Sequence, residues 1–102
     1  MNGYNKSLFD TEDGTCYVTG KKCDTARHEI FNKYARQHSK RDGLWIAVSP
    51  EVHERLHSRG LKSFADQDLW DILKREAQLK WLLADWDRSV NDFVERYGKN
   101  YL

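Results

Sequence analysis

The chain contains one proline, one methionine and two cysteines among its 102 residues. Two cysteines are too few for the disulfide framework that stabilises small secreted domains. No apolar run approaches the roughly 20 residues that a membrane-spanning helix needs, so we expect no membrane partner. The N-terminal residues, MNGYNKSLFDTEDG, lack the charged-then-apolar layout of a signal peptide. These absences together predict a cytoplasmic protein.

Charged residues make up 32% of the chain and aromatic residues 13%, including four tryptophans. This composition is typical of a globular chain with bulky core residues, and it excludes a disordered one. A chain of this length suits one domain with a modest core. We therefore interpret residues 1–102 as a single domain.

The net charge of +1 conceals an uneven distribution of charged residues. Residues 21–41 contain seven basic and two acidic side chains, whereas residues 64–97 contain five basic and eight acidic ones. A basic segment beside histidines suits a polyanion such as nucleic acid. A solvated loop in a mixed-charge protein is the alternative, and charge alone favours it.

Short extended segments are predicted in the first half of the chain. TCYVTGKKC, residues 15–23, has two brief runs around a turn, which predicts a hairpin or knuckle. ARHEIF, residues 26–31, indicates a short strand, and GLWIAV, residues 43–48, is apolar, β-branched and aromatic, as strands are. We expect a polar connection, NKYARQHSKRD, between the two.

A helix over about 50–59 is predicted, because Ser49 can act as its N-cap, Pro50 suits the first helical position and Gly60 suits the end. His53 and His57 stand four apart on it, so they share a face and can chelate one ion. This pair favours a metal site over histidines that merely pack or cap.

Two further helices are predicted. Ser63 caps a long one, whose apolar side chains recur at helical spacing up to Trp86 and are expected to pack in the core. Ser89 with Asp92 opens a short one that stops at Gly98. The long helix has more apolar surface than one hairpin can cover, so we expect a homodimer through the C-terminal helices.

A strand–loop–strand–helix order would let His28 reach the helix face as a third imidazole. Three imidazoles suit a divalent ion such as Zn, Ni or Mn, with open positions for water or a phosphate oxygen. The sequence therefore predicts a three-histidine site for one divalent ion.

The segments that carry these residues resemble a known family. CYVTG, RHEIF, SKRDGLWIAVSPEVHERLH, LKREAQLKW and the ending GKNYL are similar to HNH (His-Me finger) nucleases of the phage and prophage type. The similarity covers about residues 16–102, and GLWIAVSPEVH with GKNYL is its most specific part. It implies an α+β fold with a small ββα-metal core over residues 16–60 and two additional C-terminal helices over residues 63–97.

The resemblance also implies roles for single residues. It makes His28, His53 and His57 the ligands of one Mg, Mn, Ni or Zn ion, and places Glu29, beside His28 in the catalytic motif, at the general-base position. The implied partner is DNA, in a bacterial host cell if the protein is phage-encoded. The backbone phosphates would be bound without sequence readout by Lys33, Arg36, Ser39, Lys40 and Arg41.

The chain departs from the family pattern at three places. Cys16 keeps its place, but the other ligands of a structural zinc are replaced, so no structural zinc is expected; the replacements are Thr19, Ser49 and Val52. Ala35 occupies the asparagine position of the basic loop. Glu29 stands where a histidine is usual, and a carboxylate is a weaker base than an imidazole. Because neighbours in a strand face opposite sides, His28 and Glu29 can serve one site only at a bulge or strand end.

Three functions stay open. The first is a metal-dependent HNH endonuclease that hydrolyses DNA phosphodiester bonds. The second is a catalytically degenerate HNH-like protein that binds nucleic acid or another protein. The third is a small zinc metalloprotease, because HERLH, residues 53–57, fits the HExxH pattern. A protease needs a further ligand, and Ser63 stands at the position of the usual histidine, which leaves Glu76 as the candidate.

Overall fold

The computed structural model describes residues 3–57 and 64–102, with residues 64 and 65 described by their backbone only. The described part contains strand β1 (Ala26–Glu29), a 3-10 turn (Lys33–Ala35), helix α1 (Arg36–Arg41), strand β2 (Trp45–Val48), and helices α2 (Pro50–His57), α3 (Phe64–Leu83) and α4 (Val90–Tyr97). The two strands form one antiparallel sheet. This mixture of a small sheet and helices is an α+β fold, as predicted.

Each strand is shorter than its predicted segment, residues 26–31 for β1 and 43–48 for β2, and lies within it. His28 lies opposite Ile46, and Glu29, the last residue of β1, lies opposite Trp45. The predicted hairpin before β1 is present: Thr15 bridges Lys22 in antiparallel pairing. All four residues of β2 are buried, which explains its continuous apolar sequence.

An N-terminal segment lies along β2, although the predicted core over residues 16–60 leaves it out. Leu8 N donates to Gly43 O at 2.8 Å, and Ser7 Oγ donates to Trp45 O at 2.6 Å. Gly43 has a φ of +72°, and a Cβ on it would lie 2.2 Å from the carbonyl oxygen of Lys6. Only glycine allows both this conformation and this close approach.

The predicted polar connection between the strands contains helical turns over residues 33–41, which the sequence pattern does not predict. Ala35 and Ser39 are buried there among charged neighbours. Ser39 Oγ donates to Leu44 O at 2.5 Å and accepts from Phe31 N at 3.3 Å. A helix of six residues shows almost no periodicity, so tertiary hydrogen bonds of this kind stabilise it without a signal in the sequence.

The predicted start at Ser49 and both predicted ends of the last helix are confirmed, whereas the long helix ends at Leu83 and not at Trp86. Ser49 Oγ accepts from Val52 N at 3.3 Å, as an N-cap does. The predicted stop at Gly60 and cap at Ser63 lie outside the described residues. Helix α4 begins with a reciprocal capping box and ends at a left-handed Gly98.

Helix α3 buries only part of its apolar surface. Trp70, Leu73, Ala77 and Trp81 are buried, but the prediction that the apolar positions up to Trp86 all pack in the core is wrong. A helix that packs on one side buries one stripe, and three apolar side chains of α3 lie outside that stripe: Ile72 (55% exposed), Leu79 (42%) and Leu83 (82%). Trp86, three residues after the end of α3, is 92% exposed. None of the described helices is long and apolar enough to cross a membrane.

The homodimer through the C-terminal helices stays a prediction. We expect light scattering to give twice the 12.1 kDa mass of the chain, and Leu83→Glu to return the protein to a monomer because it places a charge in the exposed apolar surface. A monomeric mass for the unaltered chain at all concentrations would contradict it.

The tail after α4 packs against α3 and against the segment that follows β1. Gln78 is fully buried, and its amide Nε2 donates to Asn100 Oδ1 at 2.8 Å while its Oε1 accepts from Tyr101 N at 2.6 Å. The Tyr101 ring lies 5.1 Å from the Phe31 ring. The ending GKNYL therefore has a structural role.

One carboxylate joins both C-terminal helices to the sheet region. Asp42, between α1 and β2, accepts hydrogen bonds on Oδ2 from Trp81 Nε1 at 3.0 Å, Arg96 Nε at 2.6 Å and Tyr97 Oη at 2.6 Å. Burial, and then the hydrogen bond to Asp42, raise the pKa of Tyr97. The three donors come from α3 and α4, so Asp42 fixes their position relative to the strands.

We expect Asp42→Asn to lower the free energy of unfolding by roughly 2–4 kcal/mol, because an amide cannot accept from three donors and loses the ion pair with Arg96. Denaturant unfolding measures this. Asp68→Asn, an exposed change on α3, is the control, and an equal loss in the two variants would contradict the role of Asp42.

Candidate functional site

Three histidines converge, as the sequence predicts. His28 comes from β1, and His53 and His57 come from α2. Each offers one ring nitrogen, and these atoms lie within 4.8 Å of one another. His28 Nδ1 and His57 Nε2 are 3.1 Å apart. We call this group the triad.

The triad is held in place by the core and by the ring of Trp70. His28 is fully buried, His53 is half-buried and His57 is exposed, so the group extends from the core to the surface. Trp70 of α3 packs against it, with ring centroids 5.1 Å from His28 and 5.7 Å from His57. The indole Nε1 donates to Ile30 O at 3.0 Å, which holds the ring in place beside the triad.

The donor set of the triad fits a divalent ion. Two imidazole nitrogens bound tetrahedrally to zinc lie about 3.3 Å apart, since Zn–N bonds are about 2.0–2.1 Å. The separation of 3.1 Å between His28 and His57 is close to this value, and the third nitrogen lies within 4.8 Å of the other two. Imidazole nitrogen suits Zn or Ni better than Mg, which prefers oxygen. Three ligands leave a position open, as in catalytic sites.

A cavity of about 450 Å³ includes two triad members in its wall. Three of its lining side chains are cationic and one is acidic, so an anion is favoured there. Its lining residues are Arg27, Glu29, Asn32, Lys33, Arg36, His53 and His57. We call it the triad cavity.

Glu29 lies in the triad cavity although it directly follows His28. It is the last residue of β1, and this strand end lets two adjacent side chains serve one site. Tyr4 Oη donates to Oε2 at 2.8 Å, and Arg36 Nε donates to Oε1 at 2.5 Å. Burial, and then the hydrogen bond to Glu29, raise the pKa of Tyr4 to about 12. The carboxylate is therefore fixed in orientation by two donors.

The predicted DNA-binding residues lie in three different environments: the wall of the triad cavity, the surface and the core. Lys33 and Arg36 line the triad cavity. Arg41 is exposed, and Lys40 is half-buried, with its Nζ 4.9 Å from the centre of the Tyr4 ring. Ser39 has no exposed surface and its hydroxyl is used inside the fold. Its predicted contact with DNA is incompatible with this position, so we correct that assignment.

Two cavity residues escaped the sequence prediction of the site. The sequence could have predicted Arg27, because it stands two residues before Glu29 and therefore lies on the same face of β1. Its guanidinium forms an ion pair with Asp13 at 2.6 Å. Asn32 also lines the cavity, whereas Ala35, at the family's asparagine position, is buried. An amide is thus available from a neighbouring position, which a residue-by-residue match does not reveal.

Cys16 lies among the positions where the resemblance implies lost zinc ligands. Burial opposes ionisation of its thiol, but hydrogen bonds from the Thr19 side chain and from backbone N–H groups, including that of Ser49, outweigh burial and lower the pKa of Cys16 to about 7. Thr19 and Ser49, which stand at two of those positions, therefore form hydrogen bonds with the sulfur.

The geometry gives little support to a protease. Glu54, the base of the HExxH pattern, is exposed on α2 and lies outside the lining of the triad cavity. Among the described residues, His28 rather than Glu76 completes the group with His53 and His57. Among the described residues, the pattern in HERLH therefore marks two candidate metal ligands, and Glu54 does not share the wall of the triad cavity with them.

Comparison of the chain with protein-family models, with curated proteins and with solved structures gives no match in any of the three. Function is therefore inferred from the site and from the sequence resemblance. The site combines three imidazoles, an anchored carboxylate and cationic walls in one place.

We expect Zn or Ni to raise the melting temperature of the protein, because an ion bound only by the folded state stabilises it by about 2.7 kcal/mol at about 100 times its Kd. His53→Ala removes one ligand and should abolish the shift, whereas Glu54→Gln on the same helix should keep it. Thermal unfolding with and without each ion measures this, and an unchanged shift in His53→Ala would contradict the triad.

Proposed function

We propose that this chain is a metal-dependent endonuclease of the HNH type that hydrolyses phosphodiester bonds of DNA at a ββα-metal (His-Me finger) site. One observation carries the proposal: the triad joins β1 to α2, and two of its members line one cavity with Glu29 and three cationic side chains. The resemblance of RHEIF and GLWIAVSPEVH to that family supports the same assignment.

A divalent ion bound by the triad would supply positive charge to the phosphate oxygens. Glu29 accepts one hydrogen bond on each carboxylate oxygen, and each oxygen retains a further lone pair. The carboxylate can therefore accept a proton from a water molecule in the cavity. Tyr4 and Arg36 act as positioning residues, because they fix the direction in which those lone pairs point.

The cationic walls would hold the substrate through its backbone. Arg27, Lys33 and Arg36 line the triad cavity, and guanidinium and ammonium groups bind phosphates without reading the base sequence. The proposed enzyme therefore has little sequence specificity of its own.

A second candidate function is a protein that binds nucleic acid or a protein partner without cutting. The contacts of Glu29 favour it: an arginine and a tyrosine already occupy both carboxylate oxygens, as they would in a carboxylate that only stabilises the fold. The two candidates share the triad and differ in whether Glu29 takes a proton.

Supercoiled plasmid incubated with the protein and Mg, Mn, Ni or Zn tests the proposal. We expect nicking with at least one ion, and a loss of about 100-fold or more in Glu29→Gln, which keeps the shape of the side chain but cannot act as a base. His53→Ala should also lose nicking activity, whereas Glu54→Gln should retain the activity of the unaltered chain.

The outcomes separate the alternatives. Intact plasmid with every ion, together with a metal-dependent thermal shift, would favour the non-cutting protein. Equal nicking by Glu29→Gln and the unaltered chain would contradict Glu29 as the base. Cleavage of casein that depends on Glu54 would overturn both candidates in favour of the protease.

A further inference from the structure

We propose that a second cavity, beside the triad cavity and bordered by the tail after α4, binds one unpaired base of a DNA strand. The proposed substrate is accordingly single-stranded or locally unpaired DNA. This inference rests on the proposed function for the choice of DNA, but its test needs no cleavage.

The second cavity has the size and walls of a site for one planar ring. Its volume is about 180 Å³, below the roughly 300 Å³ at which pockets for drug-sized ligands begin, so it suits a base and not a whole nucleotide. Aromatic rings contribute much of its wall: Phe31, Tyr34, Tyr97 and Tyr101.

Tyr34 is the accessible ring of this group. Its side chain is 80% exposed, and it lies next to Tyr101, whose pKa is raised by burial and then by the Tyr34 phenol. Its hydroxyl also comes close to Gly98, where an added Cβ would lie 2.8 Å from it. A large exposed ring over an aromatic cavity is a platform on which any base can stack.

The charges around the second cavity suit the phosphates that flank a base. Lys33 and Lys74 line it, and none of its described lining residues is acidic. The Nζ of Lys99 lies 5.4 Å from the centre of the Tyr101 ring, which adds a third cation at the border. A base in the cavity would therefore have ammonium groups close to its backbone.

The two cavities are adjacent and share residues of their walls. Asn32 and Lys33 line both, and Lys33 has a φ of 57°, a conformation uncommon outside glycine. A nucleotide with its base on Tyr34 would thus have its phosphate near Lys33, on the side of the triad. A paired base cannot enter such a cavity unless it leaves the duplex, which costs free energy.

Fluorescence anisotropy with EDTA present tests this, because EDTA removes the ion and prevents cleavage. The probes are a short oligothymidine, an abasic strand with the same number of phosphates, and the corresponding duplex. We expect the oligothymidine to bind about tenfold more tightly than the abasic strand, since stacking of one base contributes about that factor.

Variants at Tyr34 give the control for the ring. Tyr34→Ala should remove the preference for the base-containing strand and leave binding of the abasic strand unchanged, while Tyr34→Phe should retain the preference. Trp86→Ala, which changes another highly exposed aromatic (92% exposed) in the segment between α3 and α4, should behave like the unaltered chain.

Equal affinity for the oligothymidine and the abasic strand would overturn the base site, as would equal or tighter binding of the duplex. A similar loss for both strands in Tyr34→Ala would overturn it too, because Tyr34 would then act on the fold or on phosphates. The result of the plasmid assay is independent of this binding assay. If no ion supports nicking but the protein still prefers the base-containing strand, the nuclease proposal is rejected and the base site is retained.

Discussion

The carboxylate of Asp42 is the interaction on which the arrangement of this fold depends. The two strands alone have too little surface for a core, and α3 and α4 cover them with buried side chains such as Trp81 and Phe93. Asp42 accepts hydrogen bonds from both helices and so sets their position relative to the strands. Trp81 fixes one part of α3 at Asp42, and Trp70 fixes another at the carbonyl of Ile30. This second contact lies next to the triad, so the same helix that completes the core also supports the site.

Three different segments of the chain position the side chains of the site. The strand end presents His28 and Glu29 together, the helical repeat aligns His53 with His57, and the N-terminal segment brings Tyr4 to the carboxylate. Each part is held by hydrogen bonds or buried rings of the protein itself. Both candidate functions therefore use one preorganised cavity, and they differ in the chemistry of a single carboxylate.

Local signals in the sequence predicted the elements that local interactions stabilise. Ser49, the capping box at Ser89 and the left-handed Gly98 confirmed their helices, and the four-residue spacing of the histidines predicted the helix side of the triad. The remaining features are set by tertiary contacts. Helix α1 depends on hydrogen bonds of buried Ser39, and no pattern separates a serine that contacts DNA from one that is buried. Apolar residues also recur at helical spacing on the exposed face of α3, so periodicity alone could not distinguish that face from the buried one.

The position of Trp70 has a consequence for spectroscopy. Its indole ring is buried and in contact with two histidines of the triad, so its excited state is close enough to sense whatever those rings bind. Open-shell ions such as Ni(II) or Cu(II) quench indole emission at this range, whereas closed-shell Zn(II) does not. Trp70 would thus act as an intrinsic optical probe for the electronic nature of any ion that the triad binds.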